Sequence, residues 1–186
     1  MRHVAAVRRK LACPTIFNLL GPLCNPASAP FQLLGVGRPV LQEPLAAALQ
    51  LLGTQRAAIV SGSDSLDEVT LNGPTHVLLV EGPAIERLTW APGDFGVRES
   101  TLEQILVDGP AQSAAIIADV LAGAPGTARD IVVVNAGAAL WVAGRAPTLL
   151  AGAEAARAAL DAGAARRLLA DLAAMSQAEG RRPEAG

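Results

Sequence analysis

Apolar residues recur at two different spacings in the first third of the chain. A short apolar run at residues 32–36 predicts a buried strand, and Pro44 opens a helix whose leucines at 45, 49 and 52 form one stripe before Gly53 ends it. Residues 56–60 predict a second strand. A strand, helix, strand order is typical of a parallel sheet, in which functional loops lie at the carboxyl ends of the strands.

The next segment alternates short apolar runs with strong turn signals. Asn72-Gly73-Pro74 and Glu81-Gly82-Pro83 separate three strand candidates, at residues 69–71, 76–80 and 85–90. We therefore predict an antiparallel edge on the parallel sheet.

The second half of the chain predicts helices. Residues 131–134 have the composition of a strand, but Thr127 and Asp130 stand at capping-box spacing and the apolar content continues beyond strand length. We therefore predict a helix over residues 128–143, with Gly144 as its end. The other predicted elements are a helical turn near 102–106, a helix that includes 116–121 and ends at Gly123, and helices over 149–162 and 164–175.

Composition and charge limit the classes of function. The chain of 186 residues is 51% hydrophobic, which predicts a packed globular protein, and we expect a single α/β domain over residues 1–175 with a frayed tail over 176–186. Aromatic residues make up only 3% and the formal net charge is -2, so nucleic acid is not an expected partner. The apolar run at 131–144 is too short to span a bilayer, and we expect no membrane association and a cytoplasmic location.

Two segments contain candidate site residues. Residues 14–26 place a short apolar run beside a turn in which Gly21, Pro22 and Pro26 favour one stiff shape, and such a turn can line a pocket or merely reverse the chain. Asp67 and Glu68 follow the end of the second predicted strand. The alternatives to a binding role are that the adjacent acids lie in an exposed turn or in the first turn of a helix, where the helix dipole favours negative charge.

The order and spacing of several segments resemble a known family. They are Arg2-His3-Val4 with Val7-Arg8, residues 15–26, Leu66-Asp67-Glu68, and Ala128-Arg129-Asp130-Ile131 with Asn135. Together they resemble the carboxy-terminal half of the anthranilate phosphoribosyltransferase family. The resemblance implies an α/β fold, with a mostly parallel sheet and helices on both faces, that is shared with pyrimidine nucleoside phosphorylases. It also implies a reaction in which anthranilate displaces pyrophosphate from phosphoribosyl pyrophosphate.

The resemblance also implies roles for five residues. Asp67 and Glu68 would bind Mg²⁺, a hard cation that prefers a few carboxylate oxygens together with water and substrate phosphate. Arg8 would bind the anthranilate carboxylate through two parallel hydrogen bonds. Gly21 and Pro22 would form a wall of the same pocket, and no catalytic acid, base or nucleophile is assigned.

The sequence departs from the family in two places. Ala12-Cys13-Pro14 stands where the family usually has Gly-x-Arg, and Met1 aligns with the middle of its His-Pro-Ala-Met segment. The half that would contain the Gly-Thr-Gly-Gly-Asp phosphate loop has no counterpart in this sequence. We therefore expect a truncated or split-gene product that is inactive alone. Its candidate partners are a second copy in a homodimer and a complementary N-terminal chain. The alternatives are a nucleoside phosphorylase relative and a non-catalytic relative that binds a partner protein.

Overall fold

The computed structural model describes residues 17–179. Short 3-10 turns at Pro39–Leu41, Pro92–Phe95 and Leu102–Ile105 connect the main elements. The helices are α1 (Phe17–Leu23), α2 (Gln42–Leu51), α3 (Pro110–Leu121), α4 (Thr127–Val142), α5 (Leu149–Asp161) and α6 (Ala164–Glu179), and the strands are β1 (Phe31–Gly35), β2 (Arg56–Gly62), β3 (Thr75–Glu81) and β4 (Ala84–Trp90).

The four strands form one mixed sheet in the order β1-β2-β3-β4. β1 and β2 are parallel, with Phe31 opposite Arg56, whereas the β2–β3 and β3–β4 pairs are antiparallel. The predicted α/β class and antiparallel edge are confirmed. The sheet is less parallel than expected within the described residues, because α2 is the only helix that connects two of these strands and a parallel pair needs such a crossover.

Helices cover both faces of the sheet. Alternate residues of β2 point to opposite faces, so Ala57 and Ile59 pack against the buried side of α2, while Ala58 and Val60 pack against α4 and α5. All four side chains are at most 1% exposed. The two apolar layers keep β2 rigid up to its carboxyl end.

The helical assignment of residues 131–134 is confirmed. Val133 and Val134 are completely buried in α4, because the run contributes to a helix face that packs on the sheet. The predicted capping box is wrong, since the residue before the helix is Gly126. Thr127 lies inside the first turn, and its hydroxyl forms hydrogen bonds with Ser100 and Gln104 instead.

The predicted turn at Gly21 and Pro22 is also wrong. α1 continues through both residues to Leu23, and the chain turns only afterwards, where the Asn25 side chain accepts a hydrogen bond of 3.0 Å from the Ala27 amide. Pro22 has no amide hydrogen to donate to the carbonyl group of Asn18, and the helix ends one residue later.

Helices α4 and α5 cross at two glycines. A Cβ on Gly137 would lie 2.7 Å from the Ala153 amide nitrogen, and a Cβ on Gly152 would overlap the Gly137 carbonyl group. The backbones therefore approach more closely than any larger residue allows. No helix within residues 17–179 is long and apolar enough to cross a membrane.

The strand predicted at residues 69–71 is absent. The Val69 amide donates to the Asn135 side chain, and the Thr70 amide donates to the Thr75 hydroxyl at 3.0 Å. Side chains therefore satisfy the backbone groups that a neighbouring strand would otherwise pair. At the end of the chain, α6 continues to Glu179, and residues 180–186 lie outside the described part.

Candidate functional site

The acidic loop, defined here as residues 63–69, leaves the carboxyl end of β2 and contains Asp67 and Glu68. Because β1 and β2 are parallel, the carboxyl end of β1 lies at the same edge of the sheet. Both acidic residues are exposed to solvent, although the carboxyl group of Glu68 is partly buried. The loop therefore presents two neighbouring carboxylates at the sheet edge where α/β proteins bind ligands.

Gly35, the last residue of β1, supports the acidic loop from one side. A Cβ built on Gly35 would lie 2.5 Å from the carbonyl carbon of Asp67 and 3.3 Å from the amide nitrogen of Glu68. Carbon atoms in favourable contact are about 3.5–4.0 Å apart, so any larger residue would displace the loop. Glycine is required here because the two backbones touch.

Asp64 organises the acidic loop internally. One of its carboxylate oxygens accepts a hydrogen bond of 3.1 Å from the Leu66 amide, and the other accepts one of 2.7 Å from the Thr70 hydroxyl. Ser65, between them, has a φ of 69°, a left-handed conformation that is uncommon outside glycine. Both oxygens of Asp64 therefore have partners within the loop region, whereas Asp67 and Glu68 face solvent.

Asn135, on α4, is a second support of the loop. Its side-chain oxygen accepts a hydrogen bond of 2.9 Å from the Val69 amide, and its side-chain nitrogen donates to the Val69 carbonyl group at 3.0 Å. The same nitrogen also donates, at 3.0 Å, to the Ile131 carbonyl group one turn earlier in α4. The residue directly after Glu68 is thus fixed to a helix.

The surroundings of Glu68 disfavour its charged form. The pKa of Glu68 is raised above its ordinary value, first because the carboxyl group is partly buried and second because of the negative charge on Asp67. Glu68 borders a groove of about 520 Å³ whose other lining residues are mostly apolar, which explains the partial burial. Those residues are Leu66, Ile105, Ser113, Ile116, Ile117, Val120, Leu121, Ala128, Ile131 and Val132.

The pair suits a partial Mg²⁺ site. Neither Asp67 nor Glu68 forms an ion pair within residues 17–179, and that part of the chain contains no cluster of three or more potential metal-binding side chains. A divalent cation would offset the repulsion between the two charges. Mg²⁺ commonly uses one or two protein carboxylates and takes its other ligands from water and substrate phosphate, so two open carboxylates fit it.

The other predicted site residues lie along the same strand or outside the described residues. Gly21 and Pro22 are exposed and line a shallow depression beside residues 31–34 of β1. The acidic loop contacts the next residue of that strand, Gly35. Both predicted parts of the site therefore lie beside β1, while Arg8 lies outside the described residues.

Sequence reasoning missed the two supports of the acidic loop. Gly35 fits no complete phosphate-binding pattern, although a glycine at the end of an apolar strand often marks a close backbone approach. Asn135 belongs to a segment that resembles the family, and the sequence assigned it no role. Its amide in an otherwise apolar helix was a signal of a buried hydrogen-bond partner, but the partner is 66 residues away.

Comparison with known proteins agrees with this architecture. The sequence profile described as "Glycosyl transferase family, a/b domain" matches residues 1–166, and the chain belongs to this family. More particularly, the chain is 48% identical over 178 residues to the anthranilate phosphoribosyltransferase of Methylorubrum populi and 46% identical over 173 residues to that of Rhodopirellula baltica. The matches cover 96% and 93% of this chain and 53% and 51% of the relatives.

Solved structures give the same result and confirm the predicted resemblance. Anthranilate phosphoribosyltransferase from Thermus thermophilus superposes with a TM-score of 0.83 and 39% identity, covering 92% of this chain and 50% of that one. The Saccharomyces cerevisiae enzyme in complex with PRPP and Mg superposes with a TM-score of 0.80 and 30% identity, covering 90% and 48%. The chain thus spans about half the length of the relatives it matches.

Proposed function

We propose that this chain is the metal-binding and acceptor-binding part of an anthranilate phosphoribosyltransferase. Such an enzyme transfers the phosphoribosyl group from phosphoribosyl pyrophosphate to anthranilate. The observation that carries the proposal is the exposed Asp67–Glu68 pair, fixed between Gly35 and Asn135 at the carboxyl end of a parallel strand pair. The similarity to anthranilate phosphoribosyltransferases, one of them solved with PRPP and Mg, supports the same assignment.

The chemistry of the transfer explains why a carboxylate pair is needed. Displacement at the anomeric carbon builds positive charge on the ribose and negative charge on the departing pyrophosphate. Mg²⁺, when bound, neutralises that developing negative charge. Asp67 and Glu68 would hold the cation, and their fixed backbone keeps both carboxylates available without rearrangement of the loop.

The acceptor is proposed to bind in the depression beside residues 31–34 of β1. Gly21, which has no side chain, and the rigid ring of Pro22 border this depression and leave room for a flat aromatic ring. Arg8 would bind the anthranilate carboxylate, as the resemblance implies. A structure of another relative, the Saccharomyces cerevisiae enzyme in complex with 4-fluoroanthranilate, supports this class of acceptor.

A chimeric enzyme tests the proposal. The part of the Methylorubrum populi enzyme that this chain does not match is joined to residues 1–186, and anthranilate-dependent release of pyrophosphate is measured. We expect turnover that requires Mg²⁺, no turnover by the 186-residue chain alone, and loss of turnover in the Asp67→Ala, Glu68→Ala double variant. Glu86→Ala, which removes an exposed carboxylate from β4, is the matched control and should keep full activity.

Two results would contradict the proposal. An unchanged kcat in the double alanine variant would show that the acidic pair is not part of the site. A folded chimera that cleaves a pyrimidine nucleoside with phosphate, giving the sugar 1-phosphate and the free pyrimidine, but never transfers a phosphoribosyl group to anthranilate, would favour the nucleoside phosphorylase alternative.

A further inference from the structure

The side chain of Asn135 forms hydrogen bonds with backbone groups, two of them at Val69, directly after the acidic pair. Both of its side-chain N–H groups donate, to the carbonyl groups of Val69 and Ile131, and its oxygen accepts from the Val69 amide. With both donors engaged, Asn135 has none left for a substrate. A role in this site must therefore act through the loop.

We propose that Asn135 is a positioning residue that fixes Asp67 and Glu68 for metal binding. This inference rests on the proposed function of the acidic pair. It adds that the geometry of the pair is set by a residue of α4 that lies 66 positions after Val69. The side-chain amide of this residue, Asn135, pairs with the Val69 backbone as a neighbouring strand would.

The backbone of Val69 has no neighbouring strand with which to pair. Val69 is only 1% exposed, yet it lies outside every strand, so its amide and carbonyl groups need partners away from water. The side chain of Asn135 provides both a donor and an acceptor in one plane, as a paired strand would. Without it, two buried backbone groups would be left unsatisfied or the loop would move toward solvent.

The side chain of Asn135 is itself fixed to α4. Its bond to the Ile131 carbonyl group ties the side chain to its own helix, and α4 is anchored in the core by the fully buried Val133 and Val134. Val69 is therefore connected to a rigid element through a side chain whose orientation is also fixed.

The backbone of Asp67 and Glu68 is held by both Gly35 and Asn135. Val69 directly follows Glu68 and is held by Asn135, and Gly35 lies against the Asp67 carbonyl group. The backbone is thus fixed at Asp67 and directly after Glu68. Loss of either contact frees the backbone that carries them, although the acids themselves remain present.

The test measures metal binding by the 186-residue chain, without catalysis. Mn²⁺ alone is titrated while paramagnetic broadening of the backbone amide signals of residues 63–69 is followed by NMR. We expect broadening centred on Asp67 and Glu68 that disappears in the Asp67→Asn, Glu68→Gln variant. Asn135→Ala should raise the Mn²⁺ dissociation constant about tenfold, a typical cost of losing a residue that orients metal ligands.

A matched control separates positioning from general stability. Thr148→Ala removes the hydroxyl that accepts a hydrogen bond of 3.1 Å from the Ala151 amide at the start of α5, far from the acidic loop in sequence. It should lower the melting temperature without changing Mn²⁺ binding. Hydrogen exchange at the Val69 amide is the second readout: it should be slow in the wild type and in Thr148→Ala, and fast in Asn135→Ala.

The outcomes distinguish this inference from the proposed function. Absence of broadening at Asp67 and Glu68 in the wild type would overturn the proposed metal site and the positioning role with it. Broadening that needs the acids but is unchanged in Asn135→Ala would overturn the positioning role alone. If Asn135→Ala does not fold, exchange in the wild type decides, because a Val69 amide as fast as a solvent-exposed loop amide would overturn the inferred contact.

Discussion

Gly35→Ala introduces a single methyl group at the place where β1 touches the acidic loop. The new Cβ would lie 2.5 Å from the Asp67 carbonyl carbon, at least about 1 Å closer than a favourable carbon contact. The loop cannot easily retreat, because Asn135 fixes the following residue, Val69, to α4. Overpacking of this kind costs about 1–3 kcal/mol, which corresponds to a fall in melting temperature of roughly 2–12 °C for a domain of this size.

The substitution should also weaken metal binding, since relief of the overlap displaces the backbone of both acids. We expect thermal unfolding followed by circular dichroism to show the lower melting temperature, and a Mn²⁺ titration to show a dissociation constant raised about tenfold. Gly93→Ala is the matched control, because no atom lies within 4 Å of its Cβ. Wild-type stability and metal affinity in Gly35→Ala would refute the close backbone approach.

Three further predictions follow from other parts of the chain. Gly137→Ala should lower the free energy of unfolding by about 1–3 kcal/mol despite the better helix propensity of alanine, whereas Gly93→Ala, with no atom near its Cβ, should be neutral; equal denaturation midpoints would contradict the close helix crossing. In the chimeric enzyme, Arg8→Lys should raise the KM for anthranilate much more than the KM for phosphoribosyl pyrophosphate, and unchanged constants would make Arg8 a surface charge. Ionised Glu68 destabilises the metal-free fold because its pKa is raised, and this penalty is present above the folded pKa and lost as the pH falls toward 4.5. Glu68→Gln should therefore stabilise the chain by less than about 1 kcal/mol at about pH 7, and a similar gain at about pH 4, measured by denaturant unfolding, would refute this reasoning.

The sequence by itself determined the main elements and the family. β2 and α2 follow from apolar runs and stripes interrupted by glycine, and these signals are local because hydrophobic periodicity and turn residues act within one element. The α4 helix was also predictable in spite of its β-branched run, since its apolar content exceeds strand length. The acidic pair could be placed at a strand end for the same reason.

Only the tertiary structure decided how the acidic pair is held. The contact between Gly35 and the Asp67 carbonyl group joins neighbouring strand ends, and the Asn135–Val69 hydrogen bonds join residues 66 positions apart. No local pattern specifies such contacts, because they depend on the packing of whole elements. The same packing left residues 69–71 outside the sheet: a side-chain amide met the backbone groups of Val69 that a strand would have paired.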